Sequence, residues 1–165
     1  MSNYICKIAT IEEMNRKWDY EINKATRKNN WIIWKHAAIK AFQDGKTIPY
    51  YGLLDGEIIC ECTAALDSAV IQNSTDLVDD KTAYLFAFRT NKEYQGQGYF
   101  SQLFKFMIND LIARGYKKVT LGVEPHEEKN KAIYTRYGFT EHIKDAQEIE
   151  PDGNVVDVEY YGRNL

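Results

Sequence analysis

The chain has 165 residues, 44% hydrophobic and 27% charged, with 12 Tyr, 7 Phe and 3 Trp; that is enough to bury a core without staples, and the aromatic content excludes wholesale disorder. A net charge of −3, a pI near 5.7 and a mean hydropathy of −0.51 exclude a general nucleic-acid footprint, and no apolar run nears the roughly 20 residues of a membrane span. Three cysteines make no disulfide framework and Met1–Thr10 lacks a basic-then-apolar leader pattern, so a single domain over 1–165 in a reduced, cytoplasmic setting is expected.

Tyr4 to Ile8 alternates and predicts a short strand. Thr10-Ile11-Glu12-Glu13 fits a capping box, with Thr10 as N-cap and Glu13 reaching back. A helix is therefore expected from Ile11 towards Arg27, broken by Asn29-Asn30. Asn30 is then expected to cap a second helix over Trp31 to Gln43, whose apolar residues recur at helical spacing and which Asp44-Gly45 ends. Ile48–Leu54 and Glu57–Leu66 read as strands joined by Asp55-Gly56, a type I′ turn dipeptide. Asp67 to Lys81 is polar and acidic and reads as a loop.

Ala83 to Arg89 is a short apolar strand, followed by Gln95-Gly96-Gln97-Gly98 and a helix from Tyr99 to Arg114 closed by Gly115. Lys117–Val123 is a strand with Val119, Leu121 and Val123 on one face. Glu127–Tyr137 is a helix ended by Gly138. Phe139–Ala146 and Val155–Tyr161 pair across Pro151-Asp152-Gly153-Asn154. Strands and helices alternate only mid-chain, so the fold class is α/β (α+β), with a mixed, mostly antiparallel sheet covered by helices.

The segment Arg89 to Leu103 carries the most information. A strand runs through a glycine-bearing turn into an amphipathic helix. Glycines let backbone amides converge, and the first helical turn adds unpaired N–H donors at the positive end of the dipole. The combination is a cradle for phosphate or pyrophosphate; the alternative is an ordinary tight turn at Gly96 and Gly98. The chain has no P-loop spacing, and the dinucleotide fingerprint would require glycine where Ser101 stands.

Gln95-Gly96-Gln97-Gly98-Tyr99-Phe100 resembles the pyrophosphate-binding motif Q/R-x-x-G-x-G/A of the GNAT N-acetyltransferase superfamily. Gln95 and Gly98 match, and Phe100 departs from the usual Gly or Ala. Ile133-Tyr134-Thr135-Arg136-Tyr137-Gly138-Phe139 is similar to the family's LYxKxGF segment. The resemblance covers roughly Leu85 to Phe139. It implies about seven strands flanked by about four helices, with the fourth and fifth strands splayed around acetyl-coenzyme A. The backbone of Phe88, Arg89 and Thr90 would pair with the pantetheine arm. The amides of Gln95, Gly96, Gln97, Gly98, Tyr99, Phe100 and Ser101 would hold the pyrophosphate. Tyr134 would protonate the departing thiolate, and acetyl would pass directly to an amine.

The chemistry asks for the same set. An amine attacks a thioester only when neutral, so a base or a water relay must take its proton, and a phenol near the sulfur can supply one. Tyr134 is alternatively a core aromatic. The family often has an acid on the fourth strand, and Ala83 to Thr90 contains none. Glu61, between Cys60 and Cys62, and Glu124, at the end of the fifth strand, are the candidates for base or amine anchor. Their alternatives are an outward-facing strand residue and a loop or helix-start acid. His126 is a cap or surface residue. Asn130 stands where the family often has Ala, with Glu127 at the usual Asn position; Asn130 is a candidate for the pantetheine arm.

Cys60-x-Cys62 lacks the further ligands of a zinc site and reads as reduced core thiols, so no metal is expected. Trp31, Trp34, Tyr50, Tyr51 and the acidic 67–81 loop are candidates for lining the acceptor site. The partners expected are a small-molecule or peptide amine, with no nucleic acid or membrane and with homodimerisation through the C-terminal strands. The competing readings are acetylation of a protein amine, a catalytically silent coenzyme A-binding module, and a module for ADP or NAD.

Overall fold

The computed structural model describes residues 2–165. Its elements are β1 (Tyr4–Ile8), α1 (Ile11–Lys24), α2 (Lys28–Gln43), β2 (Thr47–Leu54), β3 (Glu57–Ala65), β4 (Thr82–Thr90), α3 (Tyr99–Ala113), β5 (Lys118–Val123), α4 (Glu128–Arg136), β6 (Glu141–Ile149) and β7 (Val155–Asn164). The strands form one sheet in the order β1-β2-β3-β4-β5-β7-β6. Only β4 and β5 are parallel; the other neighbours are antiparallel. This is the expected class and element order.

The local signals hold where backbone chemistry dictates them. Thr10 Oγ1 accepts from the Glu13 amide and the Glu13 carboxylate accepts from the Thr10 amide, the reciprocal box expected. Asp55 (φ 49°) and Gly56 (φ 86°) are both left-handed, as a type I′ turn requires. Two boundaries differ. α1 stops at Lys24, short of Arg27. α2 begins at Lys28, so Asn30 caps nothing: it lies buried in the first turn, its Nδ2 without a partner, while its amide donates to the Arg27 carbonyl. Closing that turn on Arg27 starts the helix three residues early.

The sheet is covered on both faces. On one face α3 lays Leu103, Phe104, Met107, Ile108 and Leu111 against Tyr50, Cys60, Cys62, Ala64, Leu85, Val119 and Leu121, with α4 alongside. Cys62 Sγ lies 3.3 Å from Met107 Sδ, so both thiols of the Cys-x-Cys pair point into this core. On the other face α1 and α2 cover Tyr51 and Leu53, and the 66–81 loop covers Tyr84, Val158 and Tyr160. Burying the apolar side chains of α3 is worth about 2 kcal/mol each.

Two acceptor-site expectations fail here. Tyr50 and Tyr51 are fully buried, Tyr50 donating to Asp110 at 2.6 Å beneath α3 and Tyr51 packed under α1. In the acidic loop Asp67 accepts from the Ala69 amide and Asp79 from the Lys81 amide, so these two carboxylates hold its own turns.

Candidate functional site

Two irregularities open the middle of the sheet. The parallel pairing of β4 with β5 ends at Leu85↔Leu121, although β4 runs on to Thr90 and β5 to Val123. Beyond that pair the backbone of Phe88, Arg89 and Thr90 is served on its β3 side, through Glu61↔Arg89 and Cys60↔Thr90, and has no strand partner on its β5 side, the Thr90 carbonyl accepting only from the Gln95 side chain. In addition, Thr63 pairs with Phe86 and Glu61 with Arg89, so two β4 residues, Ala87 and Phe88, oppose one of β3, Cys62. The extra residue, Ala87, sits at φ 59°, a left-handed strain of about 1 kcal/mol for a residue with a Cβ. This bulge places Leu85 and Phe88 on the same, α3-facing side and turns Arg89 to the opposite face, towards α1.

The mouth of this opening is the turn ahead of α3. Gly96 (φ 74°) and Gly98 (φ 87°) are left-handed, and a Cβ on either would meet nothing within 4 Å, so the concave side of the turn is open. Gln102 is the first residue of the helix whose amide finds a backbone acceptor, the Gly98 carbonyl at 3.2 Å. The six amides from Gly96 to Ser101 have no protein acceptor among the described residues. The side chains of Gln95 and Gln97 turn back to the carbonyls of Thr90 and Glu93 and hold the loop. Six free donors at a helix N-terminus fit a pyrophosphate. Phe100 does not cover them: its ring packs on Phe88, Phe104 and Tyr137.

Tyr134 packs tilted against Phe88, ring centroids 5.2 Å apart, beside the splayed end of β4. Its hydroxyl has no partner among the described residues, and burial pushes the phenol well above its usual range. At neutral pH it is therefore a proton donor. Across the opening, Glu124 follows β5. Burial, and then a hydrogen bond with Glu127, raise its carboxyl above the usual glutamate range. Glu127 also accepts from Asn130 Nδ2 at 2.7 Å. The structure thus joins Glu124, Glu127 and Asn130, with His126 near enough that ligand-type atoms of Glu124, His126 and Glu127 lie within 4.8 Å of one another.

Glu61 does not face outward. It is 3% exposed and meets Lys17 of α1 at 2.9 Å. Lys17 is itself buried, and burial, opposed by Glu61, lowers its ammonium from the usual value. Beside this pair, Arg89 meets buried Glu21 at 2.7 Å and lies over the Trp31 ring. A cavity of about 380 Å³ is lined by Lys17, Glu21, Glu61 and Arg89. A second, of about 510 Å³, adds Lys24, Trp31 and Lys92. Trp34 packs edge-on against Trp31 at 5.6 Å and lines neither cavity. Lys17, Glu21 and the Arg89 side chain were not singled out from the sequence, although Lys17 and Glu21 share the buried stripe of α1 with Met14. Charges on the apolar stripe of an amphipathic helix are the signal that marks them.

A sequence profile of the acetyltransferase (GNAT) family matches residues 9–139. The chain belongs to that family. Solved structures of GNAT acetyltransferases share its fold. An N-acetyltransferase from Staphylococcus aureus Mu50 superposes with a TM-score of 0.70 at 16% identity, covering 98% of each chain. The ribosomal-protein-S18-alanine N-acetyltransferase of Escherichia coli gives 0.68 at 17% identity, covering 99% of this chain and 94% of the other. A ribosomal L7/L12 α-N-protein acetyltransferase in complex with coenzyme A gives 0.69 at 16% identity, covering 98% and 94%. No curated protein sequence matches the chain. At these identities the likeness carries the fold, including the single parallel strand pair and the seven-stranded open sheet. Among the described residues, no helix of this GNAT member is long and apolar enough to cross a membrane.

Proposed function

We propose that the protein is a single-domain N-acetyltransferase that transfers acetyl from acetyl-coenzyme A to a primary amine of a small molecule or peptide. The observation that carries the reading is the six unpaired amides from Gly96 to Ser101, set at the open end of the β4–β5 pair. The first turn of any helix leaves its own amides free; here the left-handed glycines extend that row back to Gly96.

In this reading the Gly96–Ser101 amides hold the pyrophosphate and the free edge of Phe88–Thr90 pairs with the amides of the pantetheine arm. Acetyl-coenzyme A supplies the activated acetyl thioester. The residues of the chain then do three things. A backbone N–H of β4 beyond the end of its pairing with β5 polarises the thioester carbonyl. Glu124, its carboxyl raised towards neutrality, takes a proton from the incoming ammonium directly or through water. Tyr134, protonated throughout the neutral range, donates to the leaving sulfur. Holding both reactants in line across the splay contributes most of the acceleration. Glu61 is a countercharge for Lys17 in this scheme, and Asn130 orients the Glu127 carboxylate. The reduced thiols suit a cytoplasmic setting.

Calorimetric titration of acetyl-coenzyme A into the purified protein, with ADP and NAD as controls, tests the reading. Tight one-site binding of acetyl-coenzyme A alone is the expected result. Absence of binding would return Gly96 and Gly98 to the role of a turn; equal binding of ADP would keep the cradle and favour a nucleotide module.

A further inference from the structure

The two walls of the opening carry opposite charge. On the β5 side stand Glu124 and Glu127, with Glu150 close enough to raise Glu124 further. Arg27, from the α1–α2 connection, reaches across to Glu150 at 3.2 Å and to Asp152, neutralising the β6–β7 turn but not the Glu124–Glu127 pair. On the β4 side the cavity of about 510 Å³ presents Lys24, Arg89 and Lys92 against a single carboxylate, Glu21. Glu21 is already engaged, by Arg89 at 2.7 Å and Lys24 at 3.7 Å. Among the described residues Lys92 meets no carboxylate, so this side carries an excess of positive charge.

Arg89 is the centre of that excess. One guanidinium nitrogen meets Glu21 and the plane lies 4.8 Å over the Trp31 ring, so the group is held on two sides before any ligand arrives. No other acceptor meets it among the described residues, and its side chain is 31% exposed into the cavity. A fixed, half-used guanidinium fork in a concave site is built to receive a carboxylate. A diamine running into this cavity would instead place its second ammonium against it, and a lysine side chain would bring it no carboxylate.

We propose that the acceptor is a zwitterion, an amine that also carries a carboxylate: the amine lies towards Glu124 and the carboxylate is taken by Arg89, with Lys24 and Lys92 beside it. The inference rests on the acetyltransferase reading and deepens it. It assigns Arg89 a binding role for its side chain, separate from the backbone pairing of the same residue.

The experiment follows acetyl-coenzyme A-dependent thiol release with matched acceptors: α-amino acids and ω-amino acids of increasing chain length, each beside its own carboxamide, together with 1,4-diaminobutane and a lysine peptide blocked at both ends. The comparison uses kcat/KM referred to the neutral-amine fraction at each pH, because amide formation lowers the amine pKa. The expected result is a preference of about ten-fold or more for the carboxylate member of at least one pair, since charge-assisted bonds are roughly twice as strong as neutral ones. In Arg89→Gln that ratio falls towards one. Equal use of both members, preference for the diamine or the blocked peptide, or a ratio that survives Arg89→Gln overturns the proposal and leaves the acetyltransferase intact. So does an Arg89→Gln variant whose defect lies wholly in KM for acetyl-coenzyme A, because the cations would then serve the cosubstrate. No thiol release with any amine, in a protein that binds acetyl-coenzyme A, overturns both.

Discussion

The Tyr4 hydroxyl donates to the Tyr99 carbonyl at 2.8 Å, tying the first strand of the chain to the first turn of α3. The two rings also pack at 4.8 Å, and Cys60 Sγ lies 3.2 Å from the same hydroxyl. The hydroxyl reaches that carbonyl by passing over Gly52: a Cβ there would come within 2.3 Å of the Tyr4 oxygen and 2.5 Å of Cys60 Sγ. Tyr4 is thus a brace for the donor row at Gly96–Ser101, from an element far from it in sequence. Tyr4→Phe is expected to cost about 1 kcal/mol of stability. It should also raise the acetyl-coenzyme A KM several-fold, with kcat changing less. Gly52→Ala should reproduce the KM effect by displacing the ring. A KM unchanged in both variants would leave Tyr4 as core packing only.

Gly98 separates conformational strain from ligand contact. At φ 87° it is the left-handed N-cap of α3, and an added Cβ would meet nothing in the protein. Gly98→Ala should therefore lose only about 1–2 kcal/mol of stability from backbone strain. Its effect on acetyl-coenzyme A affinity, read by calorimetry, should be larger, because the methyl group occupies the concave side of the cradle. An affinity unchanged in Gly98→Ala would mean that the methyl meets no ligand.

Much of this was legible in the sequence because it is set by local backbone chemistry. The Thr10–Glu13 box, the Asp55-Gly56 turn and the Gly98, Gly115 and Gly138 punctuation each act within a few residues. What stayed hidden depends on distant pairing. Nothing local shows that Ala87 bulges, since the bulge is a mismatch of register with β3. Glu61 reads as an acid between two cysteines until Lys17 arrives from α1. Asn30 looks like a cap by composition, but the chain closes its turn on Arg27 instead. Glu124 and Glu127 come together only because α4 starts as β5 ends.

The Lys17–Glu61 pair yields a test of Glu61 as structure rather than catalyst. Glu61→Gln strands an ammonium in a buried site, a loss of about 3–5 kcal/mol for a broken buried pair. Burial lowers the Lys17 ammonium from its ordinary 10.5, so the folded state sheds that proton more readily than the unfolded chain. The penalty is therefore full below the folded pKa and fades as pH rises through 10.5. Chemical denaturation between neutral and alkaline pH should show the Glu61→Gln deficit shrinking. The double change Lys17→Met, Glu61→Leu should recover most of the stability. Recovery of turnover with it would confirm Glu61 as structure; a double variant that folds without turnover would return Glu61 to the reaction.

Tyr134 distinguishes an enzyme from a silent coenzyme A-binding module. Its ring is held by Phe88 and its hydroxyl has no protein partner among the described residues, so Tyr134→Phe removes the proton donor with little change in packing. Loss of a general acid costs about a hundred-fold or more in rate. The expected outcome is that fall in kcat, with acetyl-coenzyme A affinity within a factor of about two of the parent. A Tyr134→Phe enzyme as fast as the parent would show that the thiolate leaves without this phenol.

The pH profile assigns the base. Glu124 works only when ionised, and burial and Glu127 hold its carboxyl above the ordinary 4.5. Activity should therefore rise with pH through a limb displaced upward from that of a free glutamate, before the separate rise due to deprotonation of the amine itself. Glu124→Gln keeps the shape of the side chain and removes the titration. It should abolish the lower limb, keep the upper one and reduce the plateau by about a hundred-fold. Glu127→Gln removes the neighbouring charge that raises Glu124, so in that variant the lower limb should move towards more acid pH while the plateau falls less. A lower limb that survives Glu124→Gln in its original place would assign the titration to another ionisable group.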